Sequence, residues 1–436
     1  MYTSGSTGKP KGVMITHKNI ISTCNGFMKV AEDLRPGDVY MAYLPLAHVL
    51  ELAAECCFLA VGVPLGYSSP LTMTDKSTAV KKGCKGDASV LKPTVISAVP
   101  LILERIQKGI TEVIQCEGNF TRKLFDFALK YKQRWKKWGF ETPIINWVLF
   151  RSIKDLVGGR LRAIVSGGAP LSPDTHTFIS TCLDVYLLQG YGLTETTAAA
   201  TLMEMNDLST GRVGAPVADC FIQLKDWEEG GYSVWDKPHP RGEVIVGGDS
   251  VAQGYYKNEE LTNEAFFEKD GIRWFSTGDI AELYPDGTIK IIDRKKDLVK
   301  LQLGEYVSLG KVETELKRFP LLNNICVYGN SFESYVVALV VPDRKQLHLL
   351  AASLGKEDLS FEEMCKDKDV IAEFLKSLVE HGKKAKLGGI EIPKKIKLCS
   401  ELWTPESGLV TATYKLCRNA IKQYYKDDIT ALYTSK

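Results

Sequence analysis

The stretch "LRAIVSGGAP", residues 161–170, decides the fold class. A short apolar run closes on the paired glycines Gly167 and Gly168. The same texture recurs in "VYMAYLPL" (39–46), "PTVISAVP" (93–100) and "VYLLQGYG" (185–192). Each run is followed by a polar or glycine turn and then a helical pattern. Near-continuous apolar strands alternating with helices predict a buried, mostly parallel sheet. Ligands of open α/β sheets bind outside the carboxyl ends of the strands, so the two glycines sit where a site belongs.

From about Gly211 the texture changes. "FIQLKD", "GEVIVGG" and "GTIKIIDR" predict short strands with glycine turns, a small β-rich subdomain. After "DRKKD" (293–297) come strands in "NICVYG", "SYVVALVVPD" and "IPKKIKL". Helices are predicted at 311–318, 343–353, 369–385 and 414–424, giving a compact α+β domain. The predicted division is 1–210, 211–293 and 294–436. Between Thr121 and Lys154, Trp135, Trp138 and Trp147 stand among many lysines. This predicts a helical insertion with an amphipathic surface, read as a packed helix pair in preference to a membrane contact.

The bulk composition is that of an ordinary globular protein: 436 residues, 44% hydrophobic and 25% charged, net charge +2. No global field points to nucleic acid or acidic partners. The 11 cysteines show no CxxC pair, and Cys56 and Cys57 read as reduced core thiols. There is no signal peptide and no apolar run long enough to span a bilayer. The sequon at Asn119 has no secretory context and is discounted.

Four further stretches suggest nucleotide chemistry. "YTSGSTGKPKG" (2–12) offers glycines for close anion approach, hydroxyls on Ser4, Ser6 and Thr7, and charge on Lys9 and Lys11. It is not a Walker A loop, because Pro10 follows Lys9; on its own a flexible turn explains it as well. "QGYGLTET" (189–196) offers the Tyr191 face to a base, and Thr194 and Glu195 as oxygen ligands for Mg²⁺ beside phosphates. A helix start explains that octapeptide equally. "FSTGDI" (275–280) places Asp279 after a glycine turn, where a carboxylate can accept both ribose hydroxyls or form an Asx turn. "SGGAPLSP" (166–173) follows a strand.

Taken in order with "DRKKD", these stretches resemble the adenylate-forming enzymes: acyl-CoA synthetases, luciferases and peptide-synthetase adenylation domains. The resemblance covers essentially the whole chain. "YLPLAHVLE", "GYSSPLT", "TGRVGAP", "DRKKDLVKLQLGEYVSLGKVE" and "WTPESGLVTATYK" look like the animal long-chain fatty-acid–CoA ligases, most closely the branch preferring polyunsaturated chains. It implies an α/β fold: part of an adenylate-forming N-domain, a parallel sheet with helices plus a small β subdomain, followed by a smaller mobile α+β C-terminal domain. It also implies ATP, Mg²⁺, coenzyme A and a long-chain fatty acid as reactants. The carboxylate attacks the α-phosphate, giving acyl-adenylate and pyrophosphate; the thiol of coenzyme A then displaces AMP.

Residue by residue, the resemblance implies that Ser4, Gly5, Ser6, Thr7, Gly8 and Lys9 wrap the β- and γ-phosphates. Gly168 and Ala169 flank the adenine and Tyr191 stacks on it. Thr194 contacts phosphate and Glu195 holds Mg²⁺. Asp279 and Arg294 contact the ribose. Lys296 sits at the hinge on which the C-terminal domain turns between steps. Lys415 bridges carboxylate and α-phosphate in the first step. His48 lies near the acyl end of the pocket, with a hydrogen-bonded core histidine as the equal alternative. The resemblance further implies membrane association of the full-length relative, on the cytosolic face of endoplasmic reticulum, mitochondria, peroxisomes or lipid droplets, although no anchor is present in this chain.

Three positions depart from the pattern. The usual "TDAFKLKR" reads here "TATYKLCR", so Ala412 replaces an acidic residue and Cys417 a lysine. Leu303 stands where a small residue is usual, beside the glycine loop expected near the pantetheine path. The family's N-terminal segment does not precede the phosphate loop, so the chain reads as a fragment. A catalytically silent piece keeping weak nucleotide or partner binding is the competing reading. An amino-acid adenylation domain fits less well, because the matches outside the nucleotide motifs are to the fatty-acyl branch.

Overall fold

The structure is a computed structural model. It describes residues 1–436 except 5–9, 32, 76, 78, 117, 412 and 435–436, and Ser4 for its backbone alone. The expected phosphate-loop residues Gly5, Ser6, Thr7, Gly8 and Lys9 therefore lie outside the described residues, as does Ala412.

Each of the four apolar runs forms a strand. They join a seven-stranded sheet in the order Leu65–Tyr67, Tyr40–Ala42, Val95–Ala98, Ala163–Ser166, Tyr186–Tyr191, Thr201–Leu202, Ala215–Pro216. The first five are parallel and the last two antiparallel. The central strands Tyr40–Ala42, Val95–Ala98 and Ala163–Ser166 are buried on both faces, with Tyr40, Ala98 and Ile164 at zero exposure, which is why they read as continuous apolar runs. Chain order reverses at Tyr40–Ala42, which lies between Leu65–Tyr67 and Val95–Ala98. The site rule for open sheets places ligands at such a reversal, beyond the carboxyl strand ends.

The second sheet is antiparallel, built from Cys220–Lys225, Arg241–Gly248, Ile272–Leu283, Phe266–Lys269 and Ile289–Arg294. "FSTGDI" is a correction to the sequence reading. It forms no turn between strands but lies inside Ile272–Leu283, where the pairing slips between Glu243 and Ile245. Gly278 takes the left-handed conformation at φ +72. The Thr277 hydroxyl donates to the Val244 carbonyl at 2.8 Å, and the Gly278 amide to Glu243 at 3.1 Å. This bulge re-aims the chain at Asp279.

The last part pairs Leu298–Lys300 with Tyr306–Ser308, and builds a three-stranded sheet from Leu322–Tyr328, Val337–Pro342 and Lys395–Leu398. Three predicted helices fall close to their places, at Leu309–Leu316, Arg344–Ser353 and Lys368–Lys384. The fourth starts late, at Arg418. Tyr414 sits at φ +59, which a helix cannot contain. Residues Val410 and Leu416 bridge instead, and the Thr411 amide donates to the Lys415 carbonyl at 2.8 Å. Lys415 is thus carried at a tight turn.

Arg418 holds this region to the body of the third part. Its guanidinium donates to both Glu313 oxygens at 2.8 Å, to Asp297 at 2.9 Å and to the Val327 carbonyl at 3.2 Å. Glu313 is buried, and burial alone pushes its carboxyl above the usual range. Arg418→Met should therefore cost about 3–5 kcal/mol by stranding that carboxylate, read as a drop in thermal midpoint. An unchanged midpoint would mean the network is neutral to stability.

Candidate active site

A cleft of about 1180 Å³ gathers residues from the seven-stranded sheet, the second sheet and the segments 294–297 and 415–420 of the last part. Its walls include His48 after Tyr40–Ala42, Gly168 after Ala163–Ser166, and Thr194 and Glu195 after Tyr186–Tyr191. Arg294, Lys296 and Lys415 close it from the other side.

The opening stretch is braced at both ends. Tyr2–Ser4 pairs antiparallel with Pro10–Gly12, Thr3 opposite Lys11. This ladder docks on residues 254–256: the Met14 amide donates to the Gly254 carbonyl at 3.0 Å and Tyr256 to Gly12 at 2.7 Å. Polar residues that look too flexible for a strand hold one here through backbone pairing. Lys11 lies 3.9 Å over the Tyr255 ring, and burial pulls its ammonium below the usual range.

Residues 191–200 form a closely bonded loop. The Ala200 amide donates to the Tyr191 carbonyl at 2.8 Å and Ala198 to Leu193 at 3.0 Å. The Thr23 hydroxyl donates to the Thr197 carbonyl at 2.8 Å. A Cβ on Gly192 would lie 2.0 Å from the Ala198 carbonyl oxygen, so no side chain fits there. Gly192→Ala should cost roughly 1–3 kcal/mol of stability and weaken nucleotide binding by displacing Glu195. Calorimetric ATP titration checks this; unchanged affinity would separate the loop from the ligand.

Glu195 is 7% exposed and accepts a hydrogen bond from the Tyr255 hydroxyl at 2.8 Å. Among the described residues no cluster of three metal-ligating side chains exists. One buried carboxylate beside a cationic cleft is a donor set suited to Mg²⁺, which is bound by one or two carboxylates plus substrate phosphates. Sequence reasoning missed Tyr255; a tyrosine sixty residues away carries no local signal.

Asp279, Tyr191 and Arg294 come together behind the cleft wall. Asp279 is 1% exposed. Its two oxygens accept from the Tyr191 hydroxyl at 2.8 Å and from the Arg294 Nε at 2.5 Å. The Asp279 charge holds Arg294 above its usual range. Asp279 and Tyr191 are not on the cavity surface, whereas Arg294 is. Ala169 is exposed and off the wall.

Lys415 reaches the site from the third part. A Cβ on Gly168 would lie 3.6 Å from its Cε and 3.7 Å from its Nζ. Its surface is open to the cleft, yet desolvation there, helped by Arg294, pulls the ammonium down to about 8. His48 caps helix Val49–Ala60, its Nδ1 accepting from the Leu50 amide at 3.2 Å. Burial, with Lys415 nearby, lowers it to about 4, so it is neutral at physiological pH. It is partly buried, hydrogen-bonded and on the cavity wall. Cys417 also lines the wall. Leu303 does not: it is 75% exposed, in the turn between Leu298–Lys300 and Tyr306–Ser308.

A family profile described as "AMP-binding enzyme" matches residues 1–256. The chain is 49% identical over 442 residues to "Long chain acyl-CoA synthetase 8" of Arabidopsis thaliana, covering 99% of this chain and 61% of that protein. It is 38% identical over 446 residues to "Long-chain-fatty-acid--CoA ligase 2" of Schizosaccharomyces pombe, covering 100% and 64%. The chain thus spans about three fifths of the length of the curated relatives it matches. Among solved structures, the adenylation domain of a carboxylate reductase from Mycobacterium chelonae superposes with TM-score 0.74 at 29% identity, covering 100% of this chain and 59% of that one. The A domain of carboxylic acid reductase from Segniliparus rugosus, in complex with AMP and a co-purified carboxylic acid, gives 0.73 at 27%, covering 99% and 60%. The likeness extends over essentially the whole chain.

Proposed function

The chain belongs to the AMP-binding enzyme family, and from that premise we propose that it carries the nucleotide machinery of a long-chain fatty-acid–CoA ligase. The reaction is ATP-dependent: a long-chain carboxylate becomes acyl-adenylate, and coenzyme A then takes the acyl group. The observation that carries this reading is the position of Lys415 against Gly168, facing the cleft that also holds Glu195 and Arg294. Two anions must meet there, and charge grows on phosphorus oxygens; fixed cations and donors stabilise it.

The roles follow the expectations above. Lys415 holds substrate carboxylate and α-phosphate together. Arg294 and Asp279 face the ribose once nucleotide parts their ion pair. Gly168 and Ala169 flank the base, Tyr191 stacks on it, and Thr194 contacts phosphate. Glu195 would hold Mg²⁺, which supplies charge neutralisation to the polyphosphate. The loop 4–9 and the Lys296 hinge are carried as family roles, and His48 as a neutral wall residue at the acyl end. The parts 1–210, 211–293 and 294–436 are proposed as the two pieces of the N-domain and the mobile C-terminal domain. The polyunsaturated preference rests on the sequence resemblance alone. Two relatives, 38% and 37% identical, are named peroxisomal, and a cytosolic-face membrane address is part of the proposal. Among the described residues no helix is long and apolar enough to cross a membrane.

The test supplies the chain with ATP, Mg²⁺ and candidate acids, and follows pyrophosphate exchange, then thioester on adding coenzyme A. Exchange driven by arachidonate and not by amino acids is expected. Exchange driven by an amino acid would replace the fatty-acyl reading, and ATP binding without exchange for any acid would favour the silent-fragment reading.

A further inference from the structure

The segment expected to be a packed helix pair is packed on one side only. Helix Asn119–Lys137 buries Phe125, Ala128 and Lys132 against the body of the protein. On an adjacent face Phe120, Leu124, Phe127 and Tyr131, with Trp138 just beyond the helix end, are 38–80% exposed. Their spacing places them on one stripe at helical period. Ring contacts continue the surface: Phe127 to Tyr131 at 6.1 Å, Tyr131 to Trp135 at 5.9 Å, and Trp135 to Phe140 at 5.6 Å. The next turns repeat the pattern, with Ile144, Trp147 and Val148 at 61–77% exposure. Contiguous exposed apolar surface of this kind marks an interaction site.

Charge identifies the occupant. Lys123, Lys130 and Lys137 recur every seven residues, forming an exposed edge beside the aromatic stripe. Residues 119–154 hold nine Lys and Arg against two Asp and Glu, within a chain of net charge +2. A protein partner, or a further segment of the same polypeptide, would have to desolvate or pair that lysine edge. Lysine is depleted in protein interfaces for that reason. A bilayer surface imposes no such demand. Aromatic rings enter the headgroup boundary while lysine stems lie along it and keep their ammonium groups wet, opposite anionic phosphates.

We infer that the exposed face of residues 119–148 is a docking surface for anionic phospholipid membranes, lying on the bilayer and not crossing it. The inference rests on the membrane address in the proposed function and gives it a surface; the face uses no residue of the cleft, so flotation and adenylation can fail separately. It also gives the segment's tryptophans and lysines a joint role that packing alone does not.

The experiment is flotation of the whole chain with vesicles of phosphatidylcholine, alone or mixed with phosphatidylserine. Wild-type protein should float with the mixed vesicles, less so as salt rises, and weakly with phosphatidylcholine alone. Removing each charge should weaken partitioning roughly fivefold, so Lys123→Gln/Lys130→Gln/Lys137→Gln should lower it by well over tenfold. Phe120→Ser/Phe127→Ser/Trp138→Ser should do the same from the apolar side. These side chains are exposed, so unchanged far-UV circular dichroism is expected of both variants. A wild type that stays unbound to mixed vesicles overturns the inference. So does wild-type flotation by both folded variants, or a stripe whose removal abolishes self-association and leaves flotation intact.

Discussion

Glu195→Gln is expected to reduce acyl-adenylate formation by about two to three orders of magnitude. The side chain is 7% exposed, and one oxygen is held by the Tyr255 hydroxyl at 2.8 Å. Glutamine keeps the shape and can still accept that bond, so the fold should survive with an unchanged thermal midpoint. What is lost is the negative charge. Its field reaches both cleft lysines, raising the proton affinity of Lys11 and Lys415. In the proposed reaction that charge would hold Mg²⁺ beside the polyphosphate. Two readouts separate the roles. Pyrophosphate exchange measures the reaction, and calorimetry measures how far ATP affinity depends on Mg²⁺. The variant should bind ATP with little response to the metal. Exchange at the wild-type rate would remove Glu195 from the site.

The parallel sheet was legible because both faces of its strands are buried, which leaves unbroken apolar runs such as 95–98 and 163–166. The glycines that close the run 163–166 were legible as a turn, and Gly168 takes the left-handed conformation at φ +84 that favours glycine. Features set by distant partners were not legible. Asp279 looked like a turn residue because nothing in "FSTGDI" records the slip in pairing opposite Glu243 and Ile245. The hairpin bearing Lys415 read as helix because Tyr414, a residue without special turn preference, takes φ +59 there. Tyr255 escaped notice because its role depends on reaching Glu195. The segment 121–154 shows the same limit. Its amphipathic pattern was visible, but whether the second face is covered depends on what packs over it.

Lys415→Ala should lower adenylation by roughly two to three orders of magnitude, the loss seen when one preorganised donor to developing charge is removed. Thioester formation from preformed acyl-adenylate and coenzyme A should be largely spared, because no carboxylate then needs holding against an α-phosphate. An equal fall in both steps would show that Lys415 serves a charge common to both. A pH series gives a sharper test. The cleft pulls the Lys415 ammonium from 10.5 down to about 8, desolvation acting first and Arg294 second. A lysine lowered in this way carries its charge below that value and loses it as pH rises through it. Because the free enzyme's ionisations govern kcat/KM, adenylation should fall on that scale above about pH 8. Bound polyphosphate favours the ammonium, so the matching limb in kcat should lie at higher pH. Lys415→Arg isolates the cause. Guanidinium stays charged across the whole range, so whatever rate this variant keeps should lack the alkaline limb. A limb that persists in Lys415→Arg would belong to another group, with the half-buried Lys11 next to be tested.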